Sequence, residues 1–172
     1  MSLLDLMKTR YSSRQYSDEP VAQHEIDYIL EAARVAPTAR NNQPFRIAVC
    51  THETYLDELS EVARTFGAPL VMVVCAHQDE QWVRTRDGKP SGDIDATIVT
   101  DHMMLAATEL GLQSVWVCAF NASAVAEVLR LPESLVPVNL LVIGHGVDTP
   151  KSPDRHDRMR RSLEELVYQR PE

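Results

Sequence analysis

One segment of helical length constrains the fold more than any other, because it is apolar on nearly every side. It covers residues 94–110, and its apolar members are Ile94, Ile98, Val99, Met103, Met104, Leu105, Ala106, Ala107 and Leu110. A helix without a polar face lies at the centre of a domain or at a subunit interface. Asp93 or Asp95 is expected to cap its start, and Gly111 suits its end.

The remaining segments predict a fold in which helices alternate with short strands. Further helices are predicted over residues 2–7, 21–35, 53–65 and 122–129, strands over 45–50, 70–75, 114–118 and 138–143, and a final apolar segment over 163–168. The polar stretch 77–93 contains two glycines and a proline, so it is predicted to be a loop. About four strands in irregular alternation with helices predict an α+β or mixed α/β sandwich. A length of 172 residues predicts one domain over residues 1–172.

The cysteines and the apolar runs indicate the compartment. Cys50, Cys75 and Cys118 each end an apolar run. An odd number of cysteines in strand-like runs predicts buried free thiols in a reducing compartment, and hence a cytoplasmic protein. The longest apolar run, residues 68–76, is too short to cross a membrane. The first residues lack the cationic start of a signal peptide.

Motifs of several enzyme classes are missing. No G-x-G-x-x-G follows a strand, and Gly88-Lys89-Pro90 lacks the rest of a P-loop, so neither a Rossmann site nor a P-loop ATPase is expected. No serine lies in a nucleophile elbow, which argues against a hydrolase. Cys50-x-His52 and Cys75-x-His77 leave two interpretations open. Residues two apart on neighbouring strands can share a metal, or the pairs mark strand ends entering polar loops. The missing C-x2-C spacing favours no metal.

Two arginine-rich segments lie at opposite ends of the chain. They are Arg10-Tyr11-Ser12-Ser13-Arg14 and the basic stretch 151–161, in a protein whose net charge is -8. The planar donor fork of arginine matches phosphate oxygens better than the point charge of lysine does. Local arginine on an acidic chain therefore predicts a small phosphorylated ligand and argues against nucleic acid, which requires a broad basic face.

A third segment, residues 37–44, is rich in amides and bounded by Pro37 and Pro44. A rigid loop of this kind can offer several donors and acceptors to a planar heterocycle. The alternative interpretation is a loop that only ends the preceding helix.

Together these segments resemble the motifs of the nitroreductase family of FMN-dependent oxidoreductases, in order and over nearly the whole chain. Residues 10–14 resemble the family's R-x-S-x-[RK] motif, and residues 36–45 resemble A-P-S-x-x-N-x-Q-P-W. The helix beginning near Asp95 and ending in Leu105-Ala106-Ala107-Thr108-Glu109-Leu110-Gly111-Leu112 resembles the central D…L-A-A-x-x-L-G-L helix. Residues 142–145 and Arg158-Met159-Arg160 resemble the closing glycine and [KR]-x-R phosphate motif. Thr38, Phe45 and Arg158 replace the family's usual serine, tryptophan and lysine.

The resemblance implies a three-layer sandwich, with a mainly antiparallel sheet between helices, built as an intertwined homodimer with FMN at the subunit interface. That arrangement would cover the apolar helix, which one small subunit could hardly do. The implied cofactor-binding residues are Arg10, Tyr11, Ser12, Arg14, Pro37, Thr38, Asn41, Gln43, Cys118, Ala119, Arg158 and Arg160. The resemblance implies that Arg10, Ser12, Arg158 and Arg160 bind the FMN phosphate and ribityl chain, and that Arg14 lies near the pyrimidine edge of the flavin. In this arrangement, residues 37–43 would come from the partner subunit. The Cys118–Ala119 backbone would face flavin N5, unless Cys118 is a buried core thiol.

The implied activity is ping-pong hydride transfer from NADH or NADPH through flavin N5 to a small electron-poor acceptor such as a nitroaromatic, quinone or enone. No catalytic side chain is implied, because the flavin carries the chemistry. Alternatives are an FMN-binding protein for sensing, storage or partner binding with little turnover, a specialised dehalogenating or flavin-fragmenting relative, and an α+β dimer without flavin. The chain is short, so stretch 77–93, with Trp82, Arg84 and Arg86, is the candidate lid over the substrate.

Overall fold

The structure is a computed structural model that describes residues 1–168. Its helices are α1 (Leu3–Thr9), α2 (Gln23–Val35), α3 (Glu53–Val62), α4 (Gly92–Glu109), α5 (Ala122–Val128), α6 (Arg155–Met159) and α7 (Leu163–Leu166). Its strands are β1 (Phe45–Cys50), β2 (Leu70–His77), β3 (Gln113–Val117) and β4 (Leu135–Gly144), and a 3-10 turn covers Ala39–Asn41. These bounds confirm the predicted elements to within a few residues and add the short helix α6.

The strands form one antiparallel sheet in the order β1-β2-β4-β3. The register between β2 and β4 shifts by one residue, because Val74 pairs with Asn139 while Cys75 pairs with Pro137. Proline has no N–H to donate to a neighbouring strand, so it is tolerated at an irregular position of the sheet such as this one.

Alternate residues of the two central strands face two separate cores, as the period of two in a strand requires. One face of β2 and β4 packs against α2 and α4 and buries Leu70, Met72, Val74, Leu141 and Ile143. The other face packs against α3 and α5 and buries Val71, Val73, Cys75, Leu140 and Val142. Two helical layers therefore enclose the sheet, which confirms the predicted α+β sandwich.

Helix α4 lies at the centre of the larger core and contacts α1, α2 and all four strands. Its outer side still shows apolar groups, since Ile94 is 47% exposed and Leu105 is only partly buried. The predicted cap of this helix was wrong. Ser91 occupies the N-cap position and the helix begins at Gly92, because the carboxylate of Asp95 is engaged elsewhere, as described below. Gly111, with φ of 82°, follows the last turn and fits the predicted helix end.

The predicted loop 77–93 has more structure than expected. Strand β2 extends to His77, and an antiparallel bridge joins Val83 to Pro90. Within residues 1–168, no helix is long and apolar enough to cross a membrane, and no three His, Cys, Asp or Glu side chains are grouped to hold a metal ion. The two Cys-x-His pairs do not meet, because Cys50 pairs with Val71 near one end of the β1–β2 ladder and Cys75 lies near the other.

Candidate functional site

The two arginine-rich segments, almost 150 residues apart in sequence, meet on one side of the fold. Arg155 of α6 donates from one Nη to the Lys8 and Ser152 carbonyls at 3.1 and 2.9 Å, and from the other to the Arg10 carbonyl. The ring Nε2 of His156 lies 3.3 Å from the Lys8 carbonyl oxygen. These contacts fix the C-terminal basic segment against the end of α1.

The meeting point concentrates positive charge. The pKa of the half-buried Arg10 is lowered, first by burial and then by the neighbouring charges of Arg155 and Arg160, while Asp101 acts in the opposite direction. Arginine stays protonated in proteins. Within residues 1–168, no carboxylate lies within 4.0 Å of the guanidinium groups of Arg10, Arg155 and Arg160, so these groups keep positive charge that a bound anion would neutralise.

Asp148, beyond the end of β4, organises the 10–14 segment. Its carboxylate accepts hydrogen bonds from Ser13 Oγ at 2.6 Å, Tyr11 Oη at 3.1 Å and the Arg14 backbone N–H at 3.2 Å. Burial would raise the pKa of Asp148, but these hydrogen bonds outweigh burial and hold its pKa below the ordinary value. Sequence reasoning missed this residue, because no motif links position 148 to position 11.

The same segment adds to the edge of the sheet. Ser12 forms a parallel bridge with Ser114 of β3, and the Ser13 N–H donates to the Ser114 carbonyl at 3.1 Å. Arg14 is exposed, and its Nη1 donates to the Ser12 carbonyl at 3.2 Å, with the guanidinium carbon 6.0 Å from the centre of the Phe66 ring. The hydroxyl of Ser114 is buried and has no hydrogen-bond partner among residues 1–168. The segment thus holds Arg14 at the surface and pairs Ser12 with the strand residue that carries the unused hydroxyl.

The 37–44 segment is a rigid loop held in unusual backbone geometry. Arg40, Asn41 and Gln43 have φ of 55°, 57° and 52°, in the left-handed region that L-residues rarely adopt. Thr38 Oγ1 accepts from the Gln43 N–H at 3.0 Å, and the Gln43 side-chain amide donates to the Asn41 carbonyl at 3.1 Å. Pro37, Asn41 and Gln43 are exposed and Thr38 is partly so. The loop therefore presents amide groups outward on a fixed backbone.

A buried carboxylate pins this loop to α4. Asp95 is 1% exposed and accepts from the Ala39 backbone N–H at 2.8 Å and from Ser91 Oγ at 2.7 Å. Its position in the first turn of α4 also places the negative charge at the positive end of the helix dipole. Sequence reasoning identified Asp95 only as a possible cap and as part of a family pattern, and missed its contact with the loop.

Cys118 and Ala119 follow β3 and are both exposed, so the alternative of a buried Cys118 was wrong. The cause is the polar network below it. Asn139 of β4 accepts from Trp116 Nε1 at 2.9 Å and from the Cys118 thiol at 3.6 Å, and donates to Thr100 Oγ1 at 3.2 Å. The side-chain amide of Asn139 thus fills the core position, and the Cys118 thiol lies at the outer edge of this polar network. Cys50 and Cys75 are buried, as predicted.

The structure unites some of the predicted residues and keeps others apart. Arg10 and Arg160 lie close enough for their charges to interact, while Arg158 is exposed on α6 and its side chain forms no hydrogen bond or ion pair within residues 1–168. Across that same part of the chain, no hydrogen bond or ion pair joins the 37–44 loop to Arg10, Arg155 or Arg160. A groove of about 970 Å³ lies between α1, α2 and α4, and Arg10 and Ser114 line it together with many apolar side chains.

Comparison with known proteins identifies the family of the chain. A family model described as the nitroreductase family matches residues 7–65 and 54–145, which is most of the chain. The chain belongs to the nitroreductase family. A crystal structure of a nitroreductase family protein from Clostridium difficile 630 is 45% identical, with a TM-score of 0.95 over 98% of each chain.

Two further proteins are similar over much of the chain. A nitroreductase in complex with FMN from Desulfovibrio desulfuricans is 27% identical, with a TM-score of 0.82 over 99% of this chain and 98% of that one. A Bacillus subtilis protein named FMN reductase [NAD(P)H] is 32% identical over 80% of this chain and 63% of its own length. The nitroreductase family model ends at residue 145, so Asp148 and the basic helix α6 lie beyond its match.

Proposed function

We propose that this chain is an FMN-dependent oxidoreductase that takes hydride from NADH or NADPH and passes it to a small electron-poor acceptor in a ping-pong cycle. The observation that carries the proposal is the cluster of Arg10, Arg155 and Arg160, none of which has a carboxylate within 4.0 Å of its guanidinium among residues 1–168. Guanidinium groups with an unused buried hydroxyl at Ser114 suit a phosphate ester. The FMN reductase and the FMN complex among the relatives make FMN the proposed ligand.

Each part of the site then has a role. Arg10, Ser12, Arg158 and Arg160 bind the phosphate and ribityl chain, and Tyr11 supports them through Asp148. Arg14 lies near the pyrimidine edge, where its charge favours the anionic reduced ring. The loop residues Pro37, Thr38, Asn41 and Gln43 contact the ring, and the Cys118–Ala119 backbone faces N5. When bound, FMN supplies the hydride-transfer chemistry, and acceptors of nitroaromatic, quinone or enone type fit a shared open site.

We also propose a homodimer in which the 37–44 loop of one subunit completes the site of the other. Within residues 1–168, no hydrogen bond or ion pair joins the loop to the arginine cluster of its own chain, although both belong to the proposed flavin site. Apolar side chains on three helices lack cover: Leu3 (64% exposed) and Leu4 (60%) on α1, Val35 (60%) ending α2, and Leu163 (78%) and Leu166 (63%) on α7. Such groups mark a subunit interface. The proposed location is the cytoplasm, which suits three free thiols.

The proposal is tested by an anaerobic absorption experiment. The purified protein is mixed with FMN, passed through a desalting column and titrated with NADH and then NADPH. We expect about one retained flavin per subunit and bleaching of its visible band by at least one nicotinamide. A retained band that neither nicotinamide bleaches would instead indicate an FMN-binding protein without this activity.

Loss of all flavin on the column would refute the assignment of the cofactor. Light scattering of the same sample tests the dimer. Leu166→Asp should shift the mass towards a single subunit, whereas an exposed control change, Val147→Asp (63% exposed), should leave the mass unchanged.

A further inference from the structure

Residues 82–90 form a basic hairpin on an otherwise acidic chain. Val83 and Pro90 are bridged, and the Arg84 N–H donates to the Lys89 carbonyl at 2.9 Å. The charged residues of the hairpin are Arg84, Arg86, Asp87 and Lys89. Three cations against one carboxylate stand out in a protein with a net charge of -8. The hairpin is therefore a local basic surface on an acidic protein, separate from the arginine-rich segments 10–14 and 151–161.

The base of the hairpin is attached to the 37–44 loop. Asn42 donates from its side-chain amide to the Glu80 carbonyl at 3.1 Å, and the His77 N–H donates to the Pro44 carbonyl at 2.9 Å. Because the loop is the segment proposed to contact the flavin ring, the hairpin stands next to the place where a substrate would stack.

The other end of the hairpin is fixed as well. The Gly92 N–H donates to Gln81 Oε1 at 3.2 Å, and a Cβ on Gly92 would lie 2.5 Å from that oxygen, so the helix start and the hairpin base fit closely. Ser91, the last residue before α4, shares Asp95 with the loop. One end of the hairpin is thus bonded to the 37–44 loop, and the other end leads into α4, which is bonded to the same loop. The basic tip of the hairpin therefore keeps a defined position relative to that loop.

The tip combines free cations with an aromatic surface. Arg84 is paired with Asp87 at 2.9 Å, but among residues 1–168 no carboxylate lies within 4.0 Å of the charged groups of Arg86 or Lys89. A cavity of about 250 Å³ lies at the hairpin, lined by Trp82, Arg84, Lys89, Pro90, Ser91 and Ile94. An indole beside basic groups can stack on a planar ring and bind its anionic substituent.

We propose that the 82–90 hairpin is an anion subsite that selects substrates carrying a phosphate or carboxylate at the end remote from the reacting ring. This inference rests on the proposed function and adds a substrate preference to it. Two sources supply such chemistry: the 2′-phosphate of NADPH, and a carboxylate on the electron acceptor. Arg86 and Lys89 bind the anion, and Trp82 stacks on the adjoining ring.

The test uses FMN-loaded protein and the double variant Arg86→Gln/Lys89→Gln. The matched control, Arg64→Gln/Arg130→Asn, removes the same charge from exposed positions after α3 and α5, on the other face of the sheet. The first comparison is the kcat/KM ratio of NADPH to NADH with a neutral quinone. The second is the ratio of 4-nitrobenzoate to 4-nitrobenzyl alcohol with one donor. Equilibrium titrations with NADP+, NAD+ and the two nitro compounds repeat both comparisons without turnover.

We expect one of the two ratios to fall at least about threefold in the hairpin variant, since exposed charge contacts are individually weak. The control should keep the wild-type ratio, and added salt should reduce the difference between the proteins. A change in the first ratio identifies the phosphate, and a change in the second identifies the carboxylate. Unchanged ratios and unchanged binding of all four compounds would overturn the subsite, even if the enzyme oxidises NAD(P)H normally.

The two proposals fail separately. If neither nicotinamide reduces the flavin, the proposed function is refuted and the titrations alone decide the hairpin. Weaker binding of the anionic member of either pair in the double variant would then support the subsite. Equal binding in all three proteins would refute it.

Discussion

Replacing Asp148 by alanine should destabilise the protein through the segment it holds. Ser13 is fully buried and Tyr11 is only 8% exposed, and both donate their hydroxyl hydrogen to this carboxylate. A buried donor left without an acceptor costs about 1–3 kcal/mol. The Tyr11 hydroxyl and the Arg14 backbone N–H lose their acceptor, and the Ser13 hydroxyl keeps only the Gln15 carbonyl at 3.3 Å. With some recovery by water at this partly exposed site, we expect the free energy of unfolding to fall by about 2–4 kcal/mol.

Urea unfolding followed by circular dichroism measures this change, and flavin fluorescence titration measures the accompanying loss of FMN affinity. Asp148→Asn should cost less, about 1–2 kcal/mol, because its amide oxygen keeps one acceptor. Asp18→Ala is the matched control, since Asp18 is exposed and its side chain makes no hydrogen bond within the described residues. An Asp148→Ala midpoint equal to that of the control would refute the assigned role.

The pH dependence has a defined sign. Hydrogen bonds from Ser13, Arg14 and Tyr11 outweigh burial and lower the pKa of Asp148 in the folded state. The carboxylate therefore stabilises the fold above its unfolded pKa of about 4, and this stabilisation disappears as the pH falls through the lowered value. The stability difference between wild type and Asp148→Asn should be constant near neutral pH and should shrink in acid.

The remaining predictions concern the cofactor, the loop and the thiols. Arg10→Ala and Arg160→Ala should each weaken FMN binding by about 1.5–3 kcal/mol, the range for a hydrogen bond to a charged group, and equal affinities in isothermal titration would contradict the phosphate site. Asp95→Ala should lower the free energy of unfolding by about 2–4 kcal/mol, because it leaves the Ala39 N–H and a serine hydroxyl without an acceptor; thermal melts check this. In flavin-free protein at neutral pH, a thiol reagent should titrate Cys118 first, because burial raises the pKa of the other two cysteines to about 11 and 12. Labelling of all three at equal rates before unfolding would contradict that order.

Local patterns predicted the framework well because they depend on neighbours in sequence. Strand β1 covers the predicted residues 45–50, and the first helix begins beside Ser2, the first residue of its predicted range, which caps it. Strand β4 was predicted to begin at residue 138 but starts at Leu135. Pro137 made this extension hard to predict, because proline is disfavoured within strands. In the structure, the register shift opposite β2 accommodates Pro137.

The unpredicted parts of the site depend on contacts between distant positions. Asp148 reaches Tyr11 across 137 residues, and Asp95 reaches Ala39 across 56. Neither carboxylate has a local signature, since an aspartate after a strand or in a first helical turn has several ordinary roles. Cys118 was ambiguous for the same reason: its exposure is decided by Asn139, which occupies the neighbouring strand.

The left-handed residues of the 37–44 loop have a consequence for the evolution of the protein. Arg40, Asn41 and Gln43 hold backbone conformations that cost roughly 1–2 kcal/mol per L-residue, somewhat less for asparagine. Glycine at Arg40 or Gln43 would remove that cost, so the fold alone does not favour the residues found there. A laboratory population selected only for heat resistance should accumulate changes in this loop early and lose activity as it does so. Natural lineages that retain the strained loop would then be those in which selection for the reaction has outweighed selection for stability.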